Sequence, residues 1–149
     1  MELNIREGTL GDIDAVMRIE SSGIRHPFPH KDLEALVNDE DKMLLVASYE
    51  NDEVIGYIDA YIITFEAELG NICILPEYRG KGVGRALING LMERLRSKGA
   101  EVVFLEVEAG NETAVGLYES IGFERYNIRK NYYGAGIDAL LYKKEIRLS

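Results

Sequence analysis

Apolar residues along the chain recur with two different periods, and the switches between them mark out its elements. Residues 3–6, Leu-Asn-Ile-Arg, alternate and predict a short first strand. Thr9 followed by Asp12 has the form of a capping box with Asp in the acidic slot. Leu10, Ile13, Val16, Met17 and Glu20 then continue at helical spacing to about residue 21. Pro27 and Pro29 around Phe28 make 23–30 a loop, after which a shorter helix is predicted over 31–38. Residues 43–49, 54–64 and 69–75 are β-rich runs, the first two separated by the turn-forming 50–53, and together they predict an antiparallel meander.

After Pro76 the period becomes helical. Val83, Ala86, Leu87, Gly90, Leu91 and Leu95 share one face of a helix that ends near Lys98, with Gly99 as its C-terminal cap. Residues 102–107 are almost continuously apolar, the pattern of a buried parallel strand. Asn111 caps a helix carrying Ala114, Val115, Leu117 and Tyr118 and closed by Gly122; strands at 123–129 and 138–146 flank a loop at 131–136. The order β-α-α-β-β-β-α-β-α-β-β predicts an α/β (α+β) fold: a mixed, mostly antiparallel seven-stranded sheet with helices on both faces.

Composition narrows the function. The 149 residues suffice for one domain, 1–149, with a single core; 46% are hydrophobic and 29% charged, as in ordinary globular proteins. A formal charge of −9 argues against nucleic acid and an anionic membrane surface as partners, and permits a cationic one. A single cysteine, Cys73, allows no internal disulfide. With no apolar leader and no membrane-spanning run in the sequence, a cytoplasmic protein is the expectation.

Against that acidic background, Arg79, Gly80, Lys81, Gly82, Val83, Gly84 and Arg85 lie between an apolar strand and an amphipathic helix. Glycines let backbone amides turn toward an anion, the helix N-terminus adds partial positive charge, and the three cations add full charges. A pyrophosphate suits such a loop. It is not a Walker loop, because Lys81 is followed by Gly82 rather than Ser or Thr. Nor is it a dinucleotide fingerprint, because Arg85 and Leu87 stand where the third glycine is needed. Cys73 has no histidine near it in sequence, and a small buried residue explains it better than a nucleophile. His26 and His30 are separated by two prolines and form no helical metal pair, so no metal is expected.

The pattern Arg-x-x-Gly-x-Gly that remains resembles the pyrophosphate motif of the GNAT acetyltransferase superfamily, and the resemblance covers nearly the whole chain, most strongly from residue 68 onward. Residues 71–79, Asn-Ile-Cys-Ile-Leu-Pro-Glu-Tyr-Arg, are similar to the family's fourth strand. That likeness implies backbone pairing of Ile72, Cys73 and Ile74 with the pantetheine arm of acetyl-CoA. Residues 105–118, with Ser120-Ile121-Gly122-Phe123, Asn131-Tyr132-Tyr133 and Asp138-Ala139-Leu140, resemble the RimI-like N-alpha-acetyltransferases.

The resemblance implies acetyl transfer to the amino group of protein or peptide N-termini by direct attack in a ternary complex. In it Glu106 is the proton acceptor, Tyr118 the general acid and Asn111 a cofactor contact. Phe28, Pro29, Tyr132 and Tyr133 belong to loops that grip the peptide. Two positions depart from the subgroup: Pro27-Phe28 replaces its usual Pro-Trp, and Glu108 stands where Arg is usual. Broad N-terminal acetylation therefore fits better than one dedicated ribosomal target. Two alternatives stand beside it, a small-amine acetyltransferase and a non-catalytic acyl-CoA-binding module; the oligomeric state stays open.

Overall fold

The computed structural model describes residues 2–23 and 30–147. The predicted loop at 23–30, with Phe28 and Pro29, lies almost wholly outside the described residues. The elements run β1 (Asn4–Glu7), α1 (Ile13–Gly23), α2 (His30–Asn38), β2 (Lys42–Ser48), β3 (Val54–Ile63), β4 (Glu66–Ile74), α3 (Val83–Ser97), β5 (Val102–Glu108), α4 (Glu112–Ile121), β6 (Glu124–Gly134) and β7 (Ile137–Glu145). They form one seven-stranded sheet in the order β1-β2-β3-β4-β5-β7-β6. Every neighbouring pair is antiparallel except β4 and β5. The mixed, mostly antiparallel sheet read from the pattern is the one observed.

Helices cover both faces. On one, Val83, Leu87, Leu91 and Leu95 of α3 pack with Leu45, Ile58, Leu69, Val103 and Leu105 of the sheet. Each such side chain, fully buried, contributes about 1.5–3 kcal/mol. On the other, Ile13, Val16 and Ile19 of α1 and Leu33 and Leu36 of α2 pack on Leu44, Val46 and Tyr57. Among the described residues no helix is long and apolar enough to cross a membrane.

The start of the first helix follows the predicted box. A 3-10 turn, Leu10–Asp12, precedes α1. Asp12 Oδ2 accepts from the Thr9 amide at 2.8 Å and from the Thr9 hydroxyl at 3.1 Å. Arg6 reaches the same carboxylate with both terminal nitrogens, at 2.8 and 2.9 Å, tying β1 to the helix start. Hydrogen bonding from Arg6 is the main cause that lowers the Asp12 carboxyl to about 2.

Two expected boundaries are corrected. The strand expected from residue 69 begins at Glu66: Glu66, Ala67, Glu68 and Leu69 alternate polar and apolar, with Ala67 and Leu69 inward. The loop expected at 131–136 is mostly strand. β6 runs on to Gly134 through a register shift between Arg129 and Gly134, and Asn131, at φ 57°, takes the left-handed backbone that the irregularity requires.

Candidate active site

Strands β4 and β5 pair for only three residues, Glu66 with Val102, Ala67 with Val103 and Glu68 with Phe104. Beyond that point β5 keeps β7 as its partner as far as Glu108, while β4 follows β3. The two central strands therefore diverge into a wedge, leaving one edge of β4 without a strand neighbour.

The divergence coincides with a bulge. Ile58 pairs with Ile72 but Ala60 with Leu69, so Gly70 and Asn71 together oppose Asp59. The extra residue reverses the alternation of β4. Ala67 and Leu69 point to the α3 side before the bulge, Ile72 and Ile74 after it, and Cys73 joins the α1 side. Leu75 N donates to Ile55 O across the β3 edge at 2.9 Å. Alternation then sends the amides and carbonyls of Ile72 and Ile74 to the opposite, wedge-facing edge, whereas Cys73 pairs with Tyr57. The Cys73 side chain is buried, its Sγ 3.5 Å from Ile19 O, and burial raises its pKa.

A cavity of about 700 Å³ lies against β4 beyond the divergence, lined by Ile72, Cys73 and Ile74, by residues of the glycine-rich loop, and by Asn111, Thr113, Ala114 and Leu117 of the α4 start. Gly80 and Gly82 have φ of 76° and 85°, a backbone that other residues adopt only with strain. Gly82 caps α3 without a side-chain acceptor, and the first helical bond is Ala86 N to Gly82 O at 3.1 Å. The preceding amides of the first turn remain to serve an anion. Gly84 has a different reason: a Cβ there would lie 3.2 Å from Leu117 Cδ2 and 3.4 Å from Ile74 Cδ1, so its absence lets α3, α4 and β4 close together.

Of the loop's cations, Arg79 donates from Nε to Ile74 O at 2.9 Å, Arg85 donates to Ser120 Oγ at 2.8 Å, and Lys81 stands 5.9 Å from the Tyr78 ring centre. Among the described residues none of the three is paired with a carboxylate. Unpaired cations and helix amides around one cavity fit a pyrophosphate. Asn111 caps α4, its Oδ1 accepting from Ala114 N at 3.2 Å, and lines the same cavity.

Glu106 and Tyr118 belong to opposite faces of the sheet. Along β5, Val103, Leu105 and Val107 join the α3 core, so Phe104, Glu106 and Glu108 point the other way. Glu106 Oε2 is buried and has no hydrogen-bond partner among the described residues. A buried oxygen of this kind is an unmet hydrogen-bonding requirement. Glu106 borders a second cavity of about 310 Å³, shared with Glu66, Glu68, Phe104, Tyr126 and Arg129.

Tyr118 belongs to the α3-side core, edge-on to Phe123 at 5.9 Å, and no hydroxyl partner is found among the described residues. Burial alone pushes its hydroxyl up to about 12. Tyr132 and Tyr133 lie on β6 rather than in a loop, with ring centres 5.2 Å apart, and both are exposed. The Tyr133 hydroxyl is raised first by burial and then by the charges of Glu106, Tyr132 and Glu108, so it faces the Glu106 side. Phe28 and Pro29 lie outside the described residues.

Sequence reasoning passed over Asp59, Gly70 and the Tyr61–Glu68 pair, in which Tyr61 donates to Glu68 Oε2 at 2.6 Å. A signal for the first was available: Asp59 is the only charged residue in an otherwise apolar run, 54–63.

Residues 13–123 match the model of the acetyltransferase (GNAT) family. The chain belongs to that family. It is similar to the [ribosomal protein bS18]-alanine N-acetyltransferase of Escherichia coli (strain K12), 34% identical over 122 residues that span 82% of this chain and 81% of the relative. It also superimposes on the crystal structure of the ribosomal-protein-S18-alanine N-acetyltransferase from Escherichia coli. The TM-score is 0.90 at 29% identity, over 99% of this chain and 96% of that one. Arabidopsis thaliana NAA60, solved in complex with acetyl-CoA, shares the fold at a TM-score of 0.87 and 19% identity, over 97% of this chain and 99% of that one. This GNAT chain is an acetyltransferase.

Proposed function

We propose that this GNAT acetyltransferase moves an acetyl group from acetyl-CoA to the α-amino group of protein or peptide N-termini, by direct attack in a ternary complex. The observation that carries the reading is the pair of unlike cavities that flank the β4–β5 divergence. One is lined by cations and free helix amides. The other is bordered by carboxylates and aromatic rings around a Glu106 oxygen that has no partner among the described residues. The similarity to enzymes named for N-terminal alanine acetylation supports the same substrate class.

In this reading the amides of residues 80–85 with Arg79, Lys81 and Arg85 hold the donor's pyrophosphate. The wedge-facing groups of Ile72 and Ile74 pair with its amide-bearing arm, Cys73 and Val83 line the channel, and Asn111 and Tyr118 border its reactive end. Acetyl-CoA supplies, when bound, a thioester carbonyl open to attack by an amine. Glu106 receives the proton that the incoming ammonium must lose, directly or through one water; an N-terminal amine, with a pKa of about 7.7–8.0, needs only a modest base. The Tyr118 hydroxyl, kept protonated by burial, donates to the departing sulfur. Phe28, Pro29, Tyr132 and Tyr133 border the peptide, with the tyrosine hydroxyls free to hydrogen-bond its backbone. A cytoplasmic site of action fits a protein of this chemistry.

Transfer from labelled acetyl-CoA to peptides with free or blocked N-termini tests the proposal, and only the free peptides are expected to be labelled. The carboxylates at the second cavity favour one other reading, a polyamine-like acceptor, and polyamine controls in the same assay separate the two.

A further inference from the structure

Asp59 is a carboxylate on a central strand, 4% exposed and directly opposite the irregular step of β4. Nothing in the acid–base chemistry above uses it. Burying an ionisable group there opposes folding, and burial raises this carboxyl to about 7, with the charge of Glu20 on α1 adding to the rise. The backbone explains why it is kept. A bulge takes an amide out of the ladder, and Asp59 Oδ2 accepts from one, the Asn71 N–H, at 3.3 Å.

The other half of the device is Gly70. A Cβ at that position would fall on Asp59 Oδ1 and stand 3.0 Å from its Cγ. Gly70 is not among the glycines with positive φ, so no left-handed backbone calls for a glycine there. Its lack of a side chain answers to one thing, the carboxylate lying against it. The two residues are neighbours only through the register of β3 on β4.

We infer that Asp59 and Gly70 together form a positioning device for the acyl donor. The carboxylate seats against the bare glycine backbone and holds the bulge in the one register that directs the Ile72 and Ile74 amides and carbonyls into the wedge. A slip of one residue would send those groups back to the β3 edge and exchange the faces of every later side chain in β4. Asp59 touches no reacting atom; it acts through the strand. The inference rests on the reading that the wedge receives coenzyme A, and its test keeps the two separable.

Calorimetric titration with coenzyme A alone, steady-state kinetics and thermal unfolding are compared for wild type, D59N, D59A, G70A and D59A/G70A. D59A is expected to raise Kd for coenzyme A and KM for acetyl-CoA about 10-fold, with kcat at saturating donor within about twofold of wild type. D59N keeps the Oδ acceptor and the shape and should stay within about threefold. G70A pushes the carboxylate out and should match D59A. The double variant should lose about 10-fold rather than about 100-fold, since the second change finds the device already broken.

Folded D59A and G70A proteins with wild-type Kd overturn the inference, as do losses that multiply in the double variant. Amide hydrogen exchange on the native chain decides the matter if those variants do not fold. Protection of Asn71 matching that of Cys73 supports the device, and free exchange at Asn71 overturns it. Wild type that binds no coenzyme A overturns the donor reading itself and this inference with it, whereas binding by wild type with indifferent variants overturns the inference alone.

Discussion

Burial alone lifts the Tyr118 hydroxyl to about 12, so it stays protonated throughout the range in which an N-terminal amine loses its proton. A proton held ready in this way matters only once the leaving group carries charge. Tyr118→Phe should therefore lower kcat roughly 100-fold while leaving the Kd for acetyl-CoA unchanged, measured by kinetics and calorimetry side by side. Phenylalanine keeps the ring against Phe123, so lost affinity with intact turnover would remove the assigned role. Glu106 Oε2 has no hydrogen-bond partner among the described residues, and in the proposed mechanism its removal is felt most where the amine is protonated. Glu106→Gln should depress kcat/KM by roughly 100-fold near pH 6 and less near pH 9; a pH–rate profile identical to wild type would take Glu106 out of the mechanism.

Among the elements, the junction from β4 into α3 carries the proposed donor site, and its left-handed positions are held by Gly80 and Gly82, which adopt them without strain. Gly82→Ala places a Cβ on a left-handed backbone, which costs about 1–2 kcal/mol. Relief of that strain would turn the first-turn amides away from the cavity. The expected outcome is a KM for acetyl-CoA raised about 10-fold with a nearly unchanged kcat, and an unaltered KM would show that those amides do not hold the donor.

This junction was legible in the sequence because the glycines, the cations and the change of period are contiguous there. Tyr118 was legible through the helix that begins at Asn111. The wedge was not. It consists of pairing that stops after Glu68, and the length of a strand pairing is decided by partners far apart in the chain. The bulge was hidden for the same reason, with Asp59 and Gly70 on different strands. The β6 extension was hidden because Asn131, Gly134 and Gly136 read as loop residues, whereas Asn131 accepts from Gly136 N at 2.7 Å and so closes a strand-end turn.

At the scale of the whole molecule, two displaced carboxyls among the described residues, of opposite sign, contribute to stability against pH. Asp12, lowered to about 2 chiefly by Arg6, contributes stability that is complete above about pH 4 and is lost as pH falls toward 2. Asp59, raised to about 7, works the other way. Between about pH 4 and pH 7 the unfolded chain has released that proton and the folded one has not, so stability falls as pH rises and levels off above 7. The difference in Tm between D59N and wild type should therefore grow in favour of D59N from pH 4 to pH 7 and then stay constant. A difference that is flat over that interval would mean that Asp59 titrates as an ordinary carboxylate.

The formal charge of −9 coexists with a cavity lined by Arg79 and Arg85, so the proposed donor and amine would be drawn to different parts of one surface. The proposed acetyl transfer onto peptide N-termini is measured most directly with labelled acetyl-CoA offered to a peptide panel. The panel varies the first residue and includes N-blocked lysine peptides and polyamines. Label confined to free peptide N-termini is the predicted result; label only on polyamines or lysine side chains would contradict it.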